Sequence, residues 1–162
     1  MTLAQEEDQN FCPPGWTPNE LHCFKYVSEK KTWADAEMNC LLLGGNLASV
    51  WSEEDQKFQV KLQKQSGTVE PFWIGLSDVH KEGTWFWSDG TAVYYTNWAP
   101  GEPNNFKEED CVVTELQIIH SYVTHLSIFF QLVSTDPRSI MVSFPMAKLI
   151  LVAALSCPTF GE

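Results

Sequence analysis

Apolar residues recur at helical spacing in two segments of the first half of the chain. The first segment predicts a helix that begins after Thr32 and ends at Gly44, with an inner face formed by Trp33, Ala36, Cys40 and Leu41. The second predicts a helix that begins after Ser52, whose following acids complement the helix dipole, and that buries Phe58 and Leu62. The pattern thus predicts two helices, each with one buried face.

Short segments rich in aromatic and β-branched residues predict strands around these helices. They are residues 23–27, 72–76, 85–87 and 111–114. Because the helices precede most of the strands, we predict an α+β fold with an antiparallel sheet. Residues 88–110 match neither pattern and are dense in Gly, Pro, Asn and acids, yet they contain Tyr94, Tyr95 and Trp98. Since disordered segments are poor in aromatic residues, we predict a long functional loop.

The charge of the chain is strongly negative and unevenly distributed. The formal net charge is -11, and residues 116–162 carry as many acids as bases, so the excess lies in residues 1–115. Such a balance repels a phosphate backbone, and no basic stripe is present, so nucleic acid is not an expected partner. The acidity fits a solvated surface and divalent-cation binding equally well.

Five cysteines lie at positions 12, 23, 40, 111 and 157, too far apart for a metal or redox motif. They form either disulfides or buried thiols. Cys12 and Cys23 flank a Pro-Pro-Gly-Trp turn, and a local bridge between them indicates an oxidising compartment. We therefore expect a secreted protein, with its leader absent from this chain. An odd count leaves Cys40, Cys111 or Cys157 unpaired or bonded to another chain, which would give an oligomer.

Several short motifs occur in a fixed order between residues 12 and 115. They are Cys12, Gly15-Trp16, Cys23, Cys40, Trp73-Ile74-Gly75-Leu76, Trp87-Ser88-Asp89-Gly90, Asn97-Trp98, Glu102-Pro103-Asn104 and Glu109-Asp110-Cys111. Together they resemble the C-type lectin family, in the short secreted single-domain form similar to fish and venom lectins. The resemblance implies two helices, two small antiparallel sheets and a long loop that carries calcium and sugar.

The resemblance also implies which residues bind calcium. Glu102, Asn104 and Glu109 match the family's sugar-binding calcium site, in which two neighbouring sugar hydroxyls complete the metal shell. Their oxygens are the ligand type that calcium prefers. The Glu-Pro-Asn order resembles the version associated with mannose, fucose and N-acetylglucosamine. An accessory calcium site is matched by Asp78, Glu82, Asn105, Glu109 and Asp110.

An alternative interpretation of the accessory residues stays open. Asp78 and Glu82 are equally consistent with residues that cap turns, and residues 108–110 with a solvated run of charge. The Asn at position 105 also stands where the family usually has Asp. This difference would weaken the accessory site without removing its oxygen ligands.

The resemblance ends after residue 115. In the family, a Trp-Asn-Asp strand and a final Phe-Val-Cys strand follow, and the Asn and Asp complete the sugar-binding calcium shell. Without them we expect weaker calcium binding. The missing cysteines would pair with Cys40 and Cys111, and Cys157 can replace only one of them. The chain thus divides into an acidic lead-in (1–11), a lectin-like domain incomplete at its C-terminal end (12–115) and a non-family apolar tail (116–162).

Three interpretations of the tail are open. Residues 146–155 resemble a secretory leader, which suggests read-through or mis-joined exons. A membrane anchor is disfavoured, because a span needs about 20 apolar residues and Pro145 and Lys148 interrupt the run. Alternatively, residues 116–123 or 140–144 supply a replacement strand beside residues 23–27.

The sequence therefore predicts calcium-dependent carbohydrate binding of mannose type, as in innate defence, weakened by the missing strand. The expected partners are glycans with mannose-type hydroxyls, and the expected cofactor is Ca²⁺. The alternatives are a lectin-like module that binds a protein partner or ice without sugar, and a non-functional truncated product. No nucleophile elbow, HExxH pair or phosphate-binding Gly loop is present, so the sequence does not predict an enzyme.

Overall fold

A computed structural model describes residues 11–105, 109–115, 118–122 and 129–136. These residues form two helices and eight strands. In chain order the elements are β1 (Thr17–Asn19), β2 (His22–Lys31), α1 (Trp33–Leu42), β3 (Asn46–Leu47), α2 (Glu53–Gln65), β4 (Phe72–Ser77), β5 (Phe86–Trp87), β6 (Cys111–Glu115), β7 (Ile118–Tyr122) and β8 (Phe129–Thr135).

Both helices begin at the side-chain caps that the sequence predicts. The Thr32 hydroxyl accepts a hydrogen bond from the backbone N–H of Asp35 at the start of α1. The Ser52 hydroxyl accepts the equivalent bond from Asp55 at the start of α2. Each cap satisfies a backbone donor that the first helical turn leaves unpaired. The two predicted helices are therefore confirmed.

The predicted inner face of α1 is wrong at one position. Trp33, Ala36 and Cys40 are buried, but Leu41 is 46% exposed. One residue along a helix turns the side-chain direction by about 100°. Leu41 therefore points away from the face on which Cys40 lies.

The inner face of α2 is largely polar, which the sequence did not predict. Leu62 is buried and Phe58 packs half-buried against the core, but Gln56, Gln59 and Gln63 are buried beside them. The Gln59 amide donates to the Ser49 carbonyl at 2.7 Å, and the Gln63 amide donates to the Glu70 carbonyl. These bonds offset part of the cost of burying the amides.

The eight described strands form a single sheet in the order β1-β2-β8-β4-β6-β7, with β3 beside β8 and β5 beside β4. The α+β class is confirmed, whereas the prediction of two small antiparallel sheets is wrong. One sheet forms because β8 pairs with β2 on one side and with β4 on the other. The β4 and β8 pair is parallel, and the other pairs are antiparallel.

The strand beside β2 comes from residues beyond 115. In β8, Gln131 faces Val27 and Thr135 faces Cys23. The sequence named residues 116–123 or 140–144 for this position. Residues 118–122 instead form β7 beside β6, because two residues separate these strands in the chain and they pair as a hairpin. Residues 140–144 and the leader-like segment 146–155 lie outside the described residues.

The central strands bury both of their faces. On β8, Leu132 packs in one hydrophobic cluster and Val133 in the other. On β4, Ile74 and Trp73 divide in the same way, because successive side chains of a strand point to opposite faces. The sheet is therefore sandwiched between α1 on one face and α2 with the long loop on the other.

Polar contacts also fix β8. The Gln131 amide oxygen accepts from the Asn39 side chain at 2.7 Å, and its amide nitrogen donates to the Glu29 carbonyl at 2.8 Å. A Cβ atom added at Gly45 would lie 2.2 Å from the Ser134 carbonyl oxygen. Side chains and backbone from α1 and β2 thus hold β8 as an integral strand.

Three of the described cysteines are disulfide-bonded and one is a free thiol. Cys12 and Cys23 form a disulfide with their Cα atoms 5.5 Å apart, and Cys111 is also disulfide-bonded. Cys40 is free and fully buried, and burial raises the pKa of its thiol. An oligomer bonded through Cys40 is therefore disfavoured, and Cys157 lies outside the described residues. In the described part of the chain, neither helix has the length and apolar composition to cross a membrane.

Candidate calcium and sugar site

The start of the long loop is joined to α1 by the half-buried carboxylate of Glu37. One oxygen of Glu37 accepts from the Leu47 backbone N–H at 2.8 Å and from the Ser88 hydroxyl at 3.0 Å, and the other accepts from the Asn46 amide at 2.7 Å. Burial raises the pKa of Glu37, and these three hydrogen bonds oppose the shift. Glu37 therefore joins α1 and β3 to the first residue of the loop.

The next turn of the loop is fixed on the segment before α2. Asp89 accepts from the Ser49 hydroxyl at 2.6 Å and from the Thr91 backbone N–H at 2.8 Å. The Trp51 indole donates to the Thr91 hydroxyl at 3.3 Å. The loop thus starts from a rigid base on the sheet.

The middle of the loop packs on the hydrophobic core instead of extending into solvent. Val93, Tyr95 and Trp98 are partly buried against the cluster beneath α2, and the rings of Trp98 and Trp85 lie 4.9 Å apart. Ala99 is buried, and its carbonyl accepts from the Glu102 backbone N–H at 2.9 Å. This turn connects the packed part of the loop to the candidate ligands.

The structure brings two of the sequence-predicted ligands into direct contact. The Asn104 amide donates to the Glu102 carboxylate at 2.8 Å, and the Glu102-Pro103 peptide bond between them is cis. Asn105 adopts a positive φ of 50°, and its side-chain oxygen accepts from the Glu109 backbone N–H at 3.2 Å. Asn104 and Asn105 are exposed. The polar oxygens at this end of the loop are therefore accessible from solvent.

Among the predicted accessory residues, Asp78 contacts Asp110 through the backbone. One Asp78 carboxylate oxygen accepts from the Gly83 backbone N–H at 2.8 Å, and the Asp78 backbone N–H donates to the Asp110 carbonyl at 3.2 Å. Asp78 is 2% exposed, and its other carboxylate oxygen has no hydrogen-bond partner in the described part of the chain. Burial raises the pKa of Asp78, the Gly83 bond opposes this, and the Glu82 charge adds to it.

The donors around this loop suit a hard cation. Glu102, Asn104 and Asp78 offer carboxylate and amide oxygens, which calcium prefers over nitrogen or sulfur. The unsatisfied buried oxygen of Asp78 is costly by itself, and a neighbouring cation would offset that cost. Across the described ranges, no three or more His, Cys, Asp or Glu residues are grouped so that they could hold a metal ion.

Sequence reasoning missed the residues that support this loop. Glu37 and Gln56 are polar residues on helices, and such residues are usually exposed. A weak signal was present, because Gln56, Gln59 and Gln63 recur at helical spacing on one side of α2. This spacing places them on a common face that the apolar pattern alone does not define.

Several known proteins that are similar to this chain are lectins. The family model described as the lectin C-type domain matches residues 29–123. The chain is 51% identical over 106 residues to lactose-binding lectin l-2 of Anguilla japonica, which covers 62% of this chain and 63% of that protein. It is 46% identical over 104 residues to the C-type lectin lectoxin-Lio1 of Erythrolamprus poecilogyrus, over 62% of this chain and 64% of the relative. It thus spans slightly less than two thirds of these relatives.

Solved structures of C-type lectins and related proteins share the fold of this chain. Human lithostathine superposes with a TM-score of 0.73 at 29% identity, over 84% of this chain and 99% of that one. The C-type lectin CEL-I of Cucumaria echinata superposes with a TM-score of 0.72 at 26% identity, over 78% of this chain and 99% of that one. A calcium-independent type II antifreeze protein has a TM-score of 0.70 at 30% identity, over 77% and 94%. With the family match spanning more than half of its residues, the chain belongs to the C-type lectin family, whose domains are non-enzymatic carbohydrate-binding modules.

Proposed function

We propose that this chain binds carbohydrate in a calcium-dependent manner, with a preference for mannose-type hydroxyls. The observation that carries the proposal is the 2.8 Å contact between the Asn104 amide and the Glu102 carboxylate at the exposed end of the loop. A carboxylate acceptor beside an amide donor is the pairing needed to bind two neighbouring sugar hydroxyls. Membership of the lectin family supports carbohydrate binding in general.

In this proposal each side chain has a defined role. Glu102, Asn104 and Glu109 hold calcium, and bound calcium supplies open coordination positions for a pair of sugar hydroxyls. The Glu102 and Glu109 carboxylates accept hydrogen bonds from those hydroxyls, and the Asn104 amide donates to their oxygens. Because the sugar hydroxyls must meet both donors and acceptors, such a site would select among hydroxyl geometries.

We propose a weak calcium site. Three protein side chains leave much of a shell of roughly six to eight oxygens to water, and fewer charged ligands lower affinity. Affinities in the range of extracellular calcium modules, about 10⁻⁴ to 10⁻³ M, are expected. Asp78, Glu82, Asn105, Glu109 and Asp110 remain the proposed accessory site. The buried orphan oxygen of Asp78 supports a cation there.

The preferred sugar is a separate element of the proposal. The Glu-Pro-Asn order at residues 102–104 supports mannose-type sugars. Two of the similar proteins are instead named as a lactose-binding lectin and, from Thalassophryne nattereri, a galactose-specific lectin. A binding assay must therefore compare mannose directly with galactose.

We also propose an extracellular location. The Cys12 and Cys23 disulfide and the bonded Cys111 support it, because disulfides persist in oxidising compartments. The venom and fish lectins among the relatives also support it.

The test is retention of the full chain on immobilised mannose and galactose, with calcium and then with a chelator. We expect retention on mannose that the chelator reverses. Glu102→Ala should abolish retention, and Glu54→Ala, which removes an exposed acid on α2, should leave it unchanged. Calcium-dependent retention on galactose alone would overturn the mannose assignment. No retention on either resin would overturn the proposed function.

A second candidate is binding to ice without sugar. It is favoured by the likeness to a calcium-independent type II antifreeze protein at a TM-score of 0.70. A freezing-point assay that shows thermal hysteresis unaffected by a chelator would support this candidate. Absence of hysteresis together with retention on mannose would reject it.

A further inference from the structure

Gln56 connects helix α2 to the middle of the long loop. Its side chain is 1% exposed, and its oxygen accepts two hydrogen bonds from the loop. The Tyr95 hydroxyl lies 3.0 Å away and the Asn97 amide 3.2 Å away, 39 and 41 positions later in the chain. One buried acceptor thus bonds two side chains of a segment that has no helix or strand of its own.

The bonded segment leads directly to the candidate ligands. Trp98 follows Asn97 and packs against Trp85, with ring centroids 4.9 Å apart. Ala99 then accepts from the Glu102 backbone N–H at 2.9 Å. A displacement at residues 95–97 would therefore be passed along the backbone to Glu102.

Among the described residues, glutamine at position 56 leaves one buried hydrogen-bond donor unsatisfied, and its contacts with the loop offset the resulting loss of stability. The Gln56 amide nitrogen is buried and has no hydrogen-bond partner in the described part of the chain. An unsatisfied buried donor destabilises a fold, and an apolar residue of the same shape would avoid it. The oxygen of Gln56 offsets this cost because it satisfies two donors of the loop.

We propose that Gln56 is a positioning residue for the calcium and sugar site. Its oxygen holds Tyr95 and Asn97 against α2, so that the loop is ordered before any ligand binds. A protein whose binding conformation is already populated binds more tightly, because less of the binding free energy is used for ordering. The identity of the ligand in this proposal rests on the proposed function. The ordering of the loop by Gln56 is independent of it.

The first test measures loop order in the calcium-free protein. Hydrogen exchange is compared at residues 93–105 in the wild type, Gln56→Met and Gln63→Met. Methionine keeps the volume of glutamine and removes its hydrogen bonds. Gln63 is a matched control, since it is buried on the same face of α2 but donates to the Glu70 carbonyl instead of the loop. We expect faster exchange at residues 93–105 in Gln56→Met alone.

The second test measures calcium affinity by titration calorimetry. Gln56→Met should weaken binding roughly fivefold to tenfold, which corresponds to the loss of one or two buried hydrogen bonds. Gln56→Glu keeps the acceptor oxygen and should retain most of the wild-type calcium affinity. Tyr95→Phe should weaken binding in the wild type but add little in Gln56→Met, because both changes remove the same bond.

The outcomes separate this proposal from the proposed function. Equal exchange at residues 93–105 in Gln56→Met and Gln63→Met would overturn the positioning role, whatever the calcium result. Faster exchange in Gln56→Met alone supports the role even in a wild type that binds no calcium, a result that would refute only the proposed function.

Discussion

The hydroxyl of Thr135 donates a 2.8 Å hydrogen bond to the backbone carbonyl of Gly44, which lies 91 positions earlier in the chain. Gly44 is at the end of α1 and Thr135 is the last residue of β8. The bond therefore joins residues 12–115, which carry the lectin motifs, to a strand that lies outside those motifs. It makes β8 a structural part of the domain.

Gly45→Ala tests whether β8 occupies this position. The new Cβ would lie 2.2 Å from the Ser134 backbone carbonyl oxygen, so α1 or β8 must move. We expect a loss of about 2–4 kcal/mol in the free energy of unfolding, measured by urea denaturation. Leu42→Ala, at a side chain that is 84% exposed, is the control and should change stability by less than about 0.5 kcal/mol. A neutral Gly45→Ala variant would show that β8 is not packed here in solution.

Glu37→Gln should change how the stability of the fold depends on pH. Glutamine does not titrate, whereas the Glu37 carboxyl takes up a proton as the pH falls, and each neutral side chain places a donor among the three donating groups around position 37. Burial raises the folded-state pKa of Glu37 above its ordinary value of 4.5. The contribution of Glu37 to wild-type stability is therefore fully present below pH 4.5. It is lost as the pH rises through the folded-state pKa.

The stability of the wild type relative to Glu37→Gln should thus fall as pH rises above about 4.5. Chemical denaturation at a series of pH values checks this. Leu42→Ala, at an exposed side chain that does not titrate, is the control and should show no such trend. A difference that grows with pH would contradict the assigned environment of Glu37.

Cys40 should be unreactive in the native protein. It is fully buried, and burial raises the pKa of its thiol, so the reactive thiolate is scarce. We expect no labelling of Cys40 by a thiol reagent at neutral pH until denaturant is added, as detected by mass spectrometry of the labelled peptide. Rapid labelling of the folded protein would mean that α1 opens or that Cys40 faces solvent.

Removal of the Cys12 and Cys23 bridge should lower stability without changing the fold. The bond closes a loop with a sequence separation of 11, for which the chain-entropy relation gives about 3 kcal/mol. The double variant Cys12→Ala with Cys23→Ala should show this loss in denaturation, while its circular dichroism spectrum stays unchanged. An unchanged midpoint would indicate that the bridge does not constrain the unfolded chain.

Calcium should raise the thermal stability of the whole chain. With a dissociation constant of about 1 mM, roughly 10 mM calcium stabilises the folded state by about 1.4 kcal/mol. A chelator should reverse the increase in melting temperature. Asn104→Ala should reduce the effect and Leu42→Ala should not, and equal calcium responses in the two variants would exclude Asn104 from the site.

Local features of the fold could be predicted because they depend on neighbouring residues. Thr32 and Ser52 satisfy backbone donors three positions away, so their identity suffices to locate both helix starts. The aromatic strand at residues 72–77 is recognisable from composition. The contact between Glu102 and Asn104 is local for the same reason, since two positions separate them. The support from Gln56 is not local, and the sequence did not predict it.

The helices, the aromatic strands and the long loop can be identified from the sequence, because each depends on residues close together in the chain. The family is identified from motifs that occur in a fixed order. Three features emerge only in the folded protein: residues 129–135 pair with β2 and β4, one sheet forms instead of two, and Gln56 lies under the loop. Several apolar segments after residue 115 have the composition of a strand. Which of them pairs with β2 depends on register, on packing against both hydrophobic clusters and on hydrogen bonds to distant residues, and none of these is encoded locally.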